Sequence, residues 1–71
     1  MAYNYSKLKG RIKEKYDTQA SFSKALGISH VALNQKLSNH SQWRQQEINK
    51  AALLLDIEDI ELAAYFFAKK V

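Results

Sequence analysis

Apolar side chains recur at helical spacing along almost the whole chain, and only two glycines and short polar segments interrupt them. The sequence contains no proline, and no stretch alternates β-branched and polar residues as a half-buried strand would. This pattern predicts an all-α fold. Because the chain has 71 residues and neither a linker nor an internal repeat, we expect one compact domain over residues 1–71.

Five helices are predicted from these apolar stripes. They cover residues 6–16, 18–26, 29–37, a stretch that begins between 41 and 46 and runs to about 55, and 59–68. Asp17 or Thr18 is expected to cap the start of the second helix, and Gly27 to end it in a left-handed turn. Ser29 is expected to cap the third helix in the same way.

The last predicted helix has more apolar side chains than one stripe holds. Its expected inward stripe consists of Ile60, Ala63, Ala64 and Phe67. Three further residues then project elsewhere, namely Leu62, Tyr65 and Phe66. Two explanations stay open: these residues lie under the first helix, or they form a protein interface such as that of a homodimer, where aromatic residues are enriched.

Composition excludes several classes of function. The chain has no cysteine and only two histidines, His30 and His40, so we expect no metal site and no cofactor. No nucleophile elbow and no glycine-rich phosphate loop is present, so we expect neither an enzyme nor a small-molecule substrate. The apolar runs are far shorter than the roughly 20 residues of a membrane span, and no signal peptide is evident, so no membrane contact is predicted.

The net charge of +4 is unevenly distributed. Residues 1–50 contain nine Lys/Arg and three Asp/Glu, whereas residues 51–71 contain two and four. The basic first part indicates an anionic partner, although charge alone indicates non-specific attraction rather than a defined site. A basic row on the first helix is also typical of an ordinary solvated face.

Residues 18–38 have the pattern of a helix-turn-helix unit. Counted from Gln19 as the first position, its apolar and turn positions four, eight, nine, ten and fifteen are Phe22, Leu26, Gly27, Ile28 and Leu33. Gly27 permits the sharp turn, and the apolar residues hold the two helices at a steep angle. Ser23 departs from the usual small apolar residue at the fifth position but is small enough to fit. A generic helical corner would show much of the same pattern.

With this unit and the helices around it, the chain resembles the lambda-repressor/Cro-like helix-turn-helix family over nearly its whole length. More narrowly, residues 5–8, 10–12, 43, 47–48 and 65–67 resemble small Cro-type proteins and modulator-of-repression antirepressors of lactococcal-type phages of Gram-positive bacteria. The resemblance implies a compact five-helix domain that regulates transcription without catalysis in the cytoplasm of the bacterial host.

The family resemblance also implies roles for individual residues. If the third helix enters a major groove, the base-reading residues are His30, Val31, Asn34 and Gln35. The residues expected near phosphates are Gln19, Ser29, Ser38, Asn39, His40 and Arg44. The third helix contains a single basic residue, Lys36, and no arginine to pair with guanine.

Two functions are therefore compared. The main prediction is a Cro-type transcriptional regulator that binds operator DNA in the lysis–lysogeny switch. The alternative is an antirepressor that binds the DNA-binding domain of the cognate phage repressor through its basic and polar helices and blocks its operator binding. The third helix contains no arginine, which weakens the argument for base reading and therefore favours this alternative.

Overall fold

The apolar stripes form helices where the sequence places them, except at the C-terminal end. The computed structural model describes residues 2–70. Its elements are α1 (Ser6–Tyr16), α2 (Gln19–Leu26), α3 (His30–Leu37), α4 (Gln45–Leu55), a 3₁₀ turn (Asp59–Glu61) and α5 (Leu62–Phe66). The predicted all-α fold class is confirmed, and α4 begins within the predicted interval.

Side-chain caps explain where α2 and α3 begin. The Thr18 hydroxyl accepts a hydrogen bond from the Ser21 N–H at 3.1 Å, and the Ser29 hydroxyl accepts one from the Ala32 N–H at 3.0 Å. Gly27 adopts φ 88°, in the left-handed region, and ends α2 as predicted. The three residues between α2 and α3 therefore form the expected tight turn.

All five α-helices contribute to the core: α2 packs against α1, α3 and α4, and α5 packs against α1. Its largest fully buried side chains are Phe22, Phe66, Leu8, Ile12, Leu33 and Leu55. Ser23 is also buried, and its hydroxyl donates to the Ala20 carbonyl at 2.7 Å, so the serine at this position is accommodated without an unsatisfied polar group.

Arg11 ties α1 to the end of α4. Its Nε donates to the Leu55 carbonyl at 2.8 Å and its Nη2 to the Asp56 carbonyl at 3.1 Å. These carbonyls lie at the negative end of the α4 dipole, where a cation is stabilising. Arg11 also forms an ion pair with Glu14. Arg11, one of the basic residues of α1, is therefore engaged in contacts within the chain.

The two ends of the described chain meet. Tyr3 and Lys69 form an isolated antiparallel bridge, and the Asn4 N–H donates to the Ala68 carbonyl at 2.7 Å. This pairing holds the segment after α5 against the segment before α1. None of the helices within residues 2–70 combines the length and the hydrophobicity needed to cross a bilayer.

The predicted last helix is wrong in both its extent and its buried face. A 3₁₀ turn replaces its first three residues, and the α-helix after it ends at Phe66. Tyr65 and Phe66 are buried, whereas Ile60 is 87% exposed and Phe67 is 50% exposed. A 3₁₀ turn rotates the chain by more per residue than an α-helix does, so a stripe extrapolated at 3.6 residues per turn loses its phase there.

Candidate partner-binding surfaces

The outward face of α3 consists of the residues predicted to read bases. His30, Val31, Asn34 and Gln35 are all exposed, and Val31 is 67% exposed. Among the residues predicted near phosphates, Ser38, His40 and Arg44 are exposed and Gln19 is partly buried. The exposed side chains of α3 are thus polar apart from Val31.

Two of the residues predicted near phosphates already have partners within the chain. The Ser29 hydroxyl caps α3. The Asn39 side chain accepts a hydrogen bond from the Tyr3 N–H at 2.8 Å through Oδ1 and donates to the Tyr3 carbonyl at 3.0 Å through Nδ2. Asn39 also adopts φ 66°, a conformation that asparagine tolerates better than most residues. In this structure its amide holds the N-terminal segment.

Lys36, the single basic residue of α3, points into the protein. It is 7% exposed, and its Nζ lies 3.1 Å from the Gln42 carbonyl and 3.0 Å from Glu47 Oε1. Because the only cation of the helix is engaged in this way, the outward face of α3 carries no basic side chain apart from the imidazole of His30.

The Glu47 carboxylate connects α3 to the start of α4. Its Oε1 accepts from the Arg44 N–H at 2.8 Å, at the first turn of α4, and also from Lys36. Burial raises the pKa of this carboxyl, but the hydrogen bonds from the Arg44 N–H and the Lys36 ammonium, with the positive charges of both residues, outweigh it. The pKa of Glu47 therefore lies below its ordinary value of 4.5.

The predicted protein interface at the C-terminal end needs a correction. Tyr65 and Phe66 are core residues, and Leu62 is only partly exposed. Phe66 packs edge-on against Trp43 with ring centroids 5.1 Å apart, and Lys7 Nζ lies 4.8 Å from the centre of the Tyr65 ring. Tyr65 and Phe66 therefore cannot offer their rings to a partner while the domain is folded.

A different surface lies beside this element, and sequence reasoning missed it. We call it the acidic–apolar patch; it consists of Leu53, Asp56, Glu58, Asp59 and Ile60. Leu53 is 83% exposed and Ile60 is 87% exposed, and the three carboxylates are exposed as well. Leu53 and Asp59 line one shallow groove of about 260 Å³. Leu53 lies outside the apolar stripe of α4 formed by Ile48, Ala51, Ala52 and Leu55, which is the signal for this patch in the sequence, but the predicted register of the last helix placed Ile60 inward.

Within residues 2–70, no group of three or more His, Cys, Asp or Glu side chains is arranged to hold a metal ion. His30 and His40, the two histidines weighed as ligands, are both exposed.

Comparison with known proteins decides the family. The family model described as "Protein of unknown function (DUF739)" matches residues 1–69. The chain belongs to the DUF739 family. This DUF739 chain is also similar to the modulator of repression (MOR) of the temperate bacteriophage TP901-1 from Lactococcus lactis, whose solution structure matches with a TM-score of 0.83 and 39% identity. The match covers 100% of this chain and 96% of that one.

The structural match supports the narrower part of the sequence resemblance, which points to phage modulators of repression. The family model that matches is not one of lambda-repressor/Cro-like regulators, so the wider Cro-like resemblance of this DUF739 chain stays a prediction. A comparison with the curated proteins gives no match.

Proposed function

We propose that the chain is a modulator of repression in a phage lysis–lysogeny switch. In this role it binds the DNA-binding domain of the cognate phage repressor, in the cytoplasm of the bacterial host, and keeps that domain off its operator. The observation that carries the proposal is the similarity to the phage TP901-1 modulator over the full length of this chain. The role is one of binding without catalysis.

The charge on α3 supports a protein partner over operator DNA. A base-reading helix commonly uses arginine or lysine on guanine, and phosphate contacts by cations supply much of the affinity for DNA. Here the one lysine of α3 is turned inward to Glu47. The exposed side chains that remain on this helix include no lysine or arginine, which weakens the case for phosphate and guanine contacts.

The proposal predicts that the purified chain co-elutes with the repressor of the phage or prophage that encodes it. Added to a repressor–operator complex, the chain is expected to release the repressor in a gel-shift titration, because the same repressor surface cannot bind both partners. An unrelated repressor on its own operator serves as the control and should stay bound. The proposal would be refuted if the chain formed no complex with the cognate repressor but by itself gave a sequence-specific gel shift with operator DNA.

Direct operator binding, the main prediction from the sequence, is tested by one substitution. If α3 reads bases, Gln35→Ala should weaken binding to the operator by about 1–3 kcal/mol while leaving affinity for random DNA unchanged. We expect instead that the unmodified chain gives no sequence-specific shift. Gln46→Ala is the matched control, because it is the same change at an exposed glutamine of α4 that is predicted to contact neither bases nor phosphates.

A further inference from the structure

We propose that the acidic–apolar patch is the surface that docks the DNA-binding face of the repressor. This assignment rests on the proposed function and names the part of the chain that performs it. It differs from the expectation that the basic and polar helices make this contact. Two independent properties of the patch support it, namely its exposed apolar side chains and its charge.

The apolar part of the patch is unusually exposed. Leu53 and Ile60 are the two most exposed large hydrophobic residues found in the described part of the chain, at 83% and 87%. Beside Leu53, the shallow groove is floored by the buried Ile57 and bordered by Leu62. A partner that covers these side chains gains the free energy of removing them from water. An apolar groove bordered by polar residues is typical of a protein interaction site, and this groove is lined by Leu53, Ile57 and Leu62 together with Asn49 and Asp59.

The backbone of the patch is held in place before any partner arrives. Arg11 donates to the Leu55 and Asp56 carbonyls, and the Ile57 N–H donates to the Ala52 carbonyl at 2.9 Å. The Glu58 N–H is bonded to the Glu61 carboxylate at 3.4 Å. Because these bonds fix the turn between α4 and the 3₁₀ turn, little ordering is left to oppose binding.

The charge of the patch selects the partner. Residues 51–68 contain four carboxylates and no lysine or arginine, whereas the first 50 residues are strongly basic. Within residues 2–70 the carboxylates of Glu58 and Asp59 have no cation within 4 Å, and Asp56 has only Lys15, at 4.0 Å and well exposed. Such a pair contributes little, so the negative charge of the patch is available to a partner.

A repressor must present lysine and arginine where it meets phosphates. That basic face is repelled by α1 and attracted by the acidic–apolar patch, since complementary potentials steer association and like charges oppose it. The patch therefore offers the repressor carboxylates in place of phosphates, with Leu53 and Ile60 as the apolar contact that DNA lacks.

The test measures the affinity of the full chain for the purified repressor, by calorimetry or interferometry. The double variant Leu53→Lys/Ile60→Lys and the single variant Asp59→Lys are each expected to weaken binding by about tenfold or more. Val31→Lys is the matched control for the single variants Leu53→Lys and Ile60→Lys, which are measured beside the double variant, because each of the three adds one positive charge at an exposed apolar residue. All these side chains are exposed, so unchanged melting curves should show that the variants remain folded.

Each outcome decides the assignment. Loss of affinity in the patch variants, with Val31→Lys within about twofold of the parent chain, supports it. Patch variants that bind like the parent chain overturn it while the proposed function stands, and an equal loss for Val31→Lys overturns it in favour of α3. If the parent chain does not bind the repressor at all, the proposed function fails and the assignment fails with it.

Discussion

Replacing Phe66 by alanine is expected to lower the free energy of unfolding by about 3–5 kcal/mol, whereas the same change at Phe67 should cost less than about 1 kcal/mol. Phe66 is 2% exposed and lies edge-on against Trp43, while Phe67 is 50% exposed. Truncating a buried phenylalanine removes apolar surface from the core and leaves a cavity. At the half-exposed position, solvent fills the space.

The two variants form a matched pair, since they differ only in which neighbouring ring is removed. A domain of this size has a total stability of only about 5 kcal/mol, so Phe66→Ala should retain at most about 2 kcal/mol of it. Urea denaturation gives the difference, and Trp43, the one tryptophan of the chain, reports it by fluorescence. A larger loss at Phe67 than at Phe66 would restore the helix register predicted from the sequence and contradict this structure.

That register shows where sequence reasoning reached its limit. Residues 60, 63, 64 and 67 form one apolar stripe, and residues 62, 65 and 66 form another, so periodicity alone does not choose between them. The choice depends on volume, because Tyr65 and Phe66 fill more of the core than two alanines do. By contrast, α1 was predictable from an unambiguous stripe, and α2 and α3 combine such a stripe with a local start or stop signal such as Ser29 or Gly27.

The inward position of Lys36 could be predicted in part from the sequence. It follows Leu33 by three residues and precedes Leu37, so it stands on the same stripe as two buried leucines. The partner of Lys36 could not be predicted from the sequence, because Glu47 lies on another helix and the contact between the two side chains depends on tertiary packing. The same holds for Asn39 and Tyr3, which are 36 residues apart. Exposed residues of α3 were predictable, whereas long-range contacts that occupy polar side chains were not.

The ion pair between the buried Lys36 and the partly buried Glu47 yields the second large effect, in the substitution Glu47→Ala. The change should lower the free energy of unfolding by about 3 kcal/mol, because it leaves the Lys36 ammonium buried with only the Gln42 carbonyl as partner. It also removes the acceptor of the Arg44 N–H at the start of α4. Glu58→Gln, at an exposed carboxylate, is the control and should change stability by less than about 0.5 kcal/mol.

The same carboxylate should make stability depend on pH in a defined direction. The pKa of Glu47 in the folded chain is lower than its ordinary value of 4.5, so folding favours the ionised form. The contribution of the ionised Glu47 to the free energy of unfolding is complete above about pH 4.5 and is lost as the pH falls through the lower folded-state pKa.

The substitution Glu47→Gln tests this dependence, because glutamine keeps an acceptor for the Arg44 N–H but cannot titrate. The stability difference between the parent chain and Glu47→Gln should therefore shrink on acidification, as urea midpoints at successive pH values would show. If the stability difference instead stayed constant or increased as the pH falls, Lys36 and Glu47 would not be paired in solution. The Lys36 ammonium would then be available at the surface of α3.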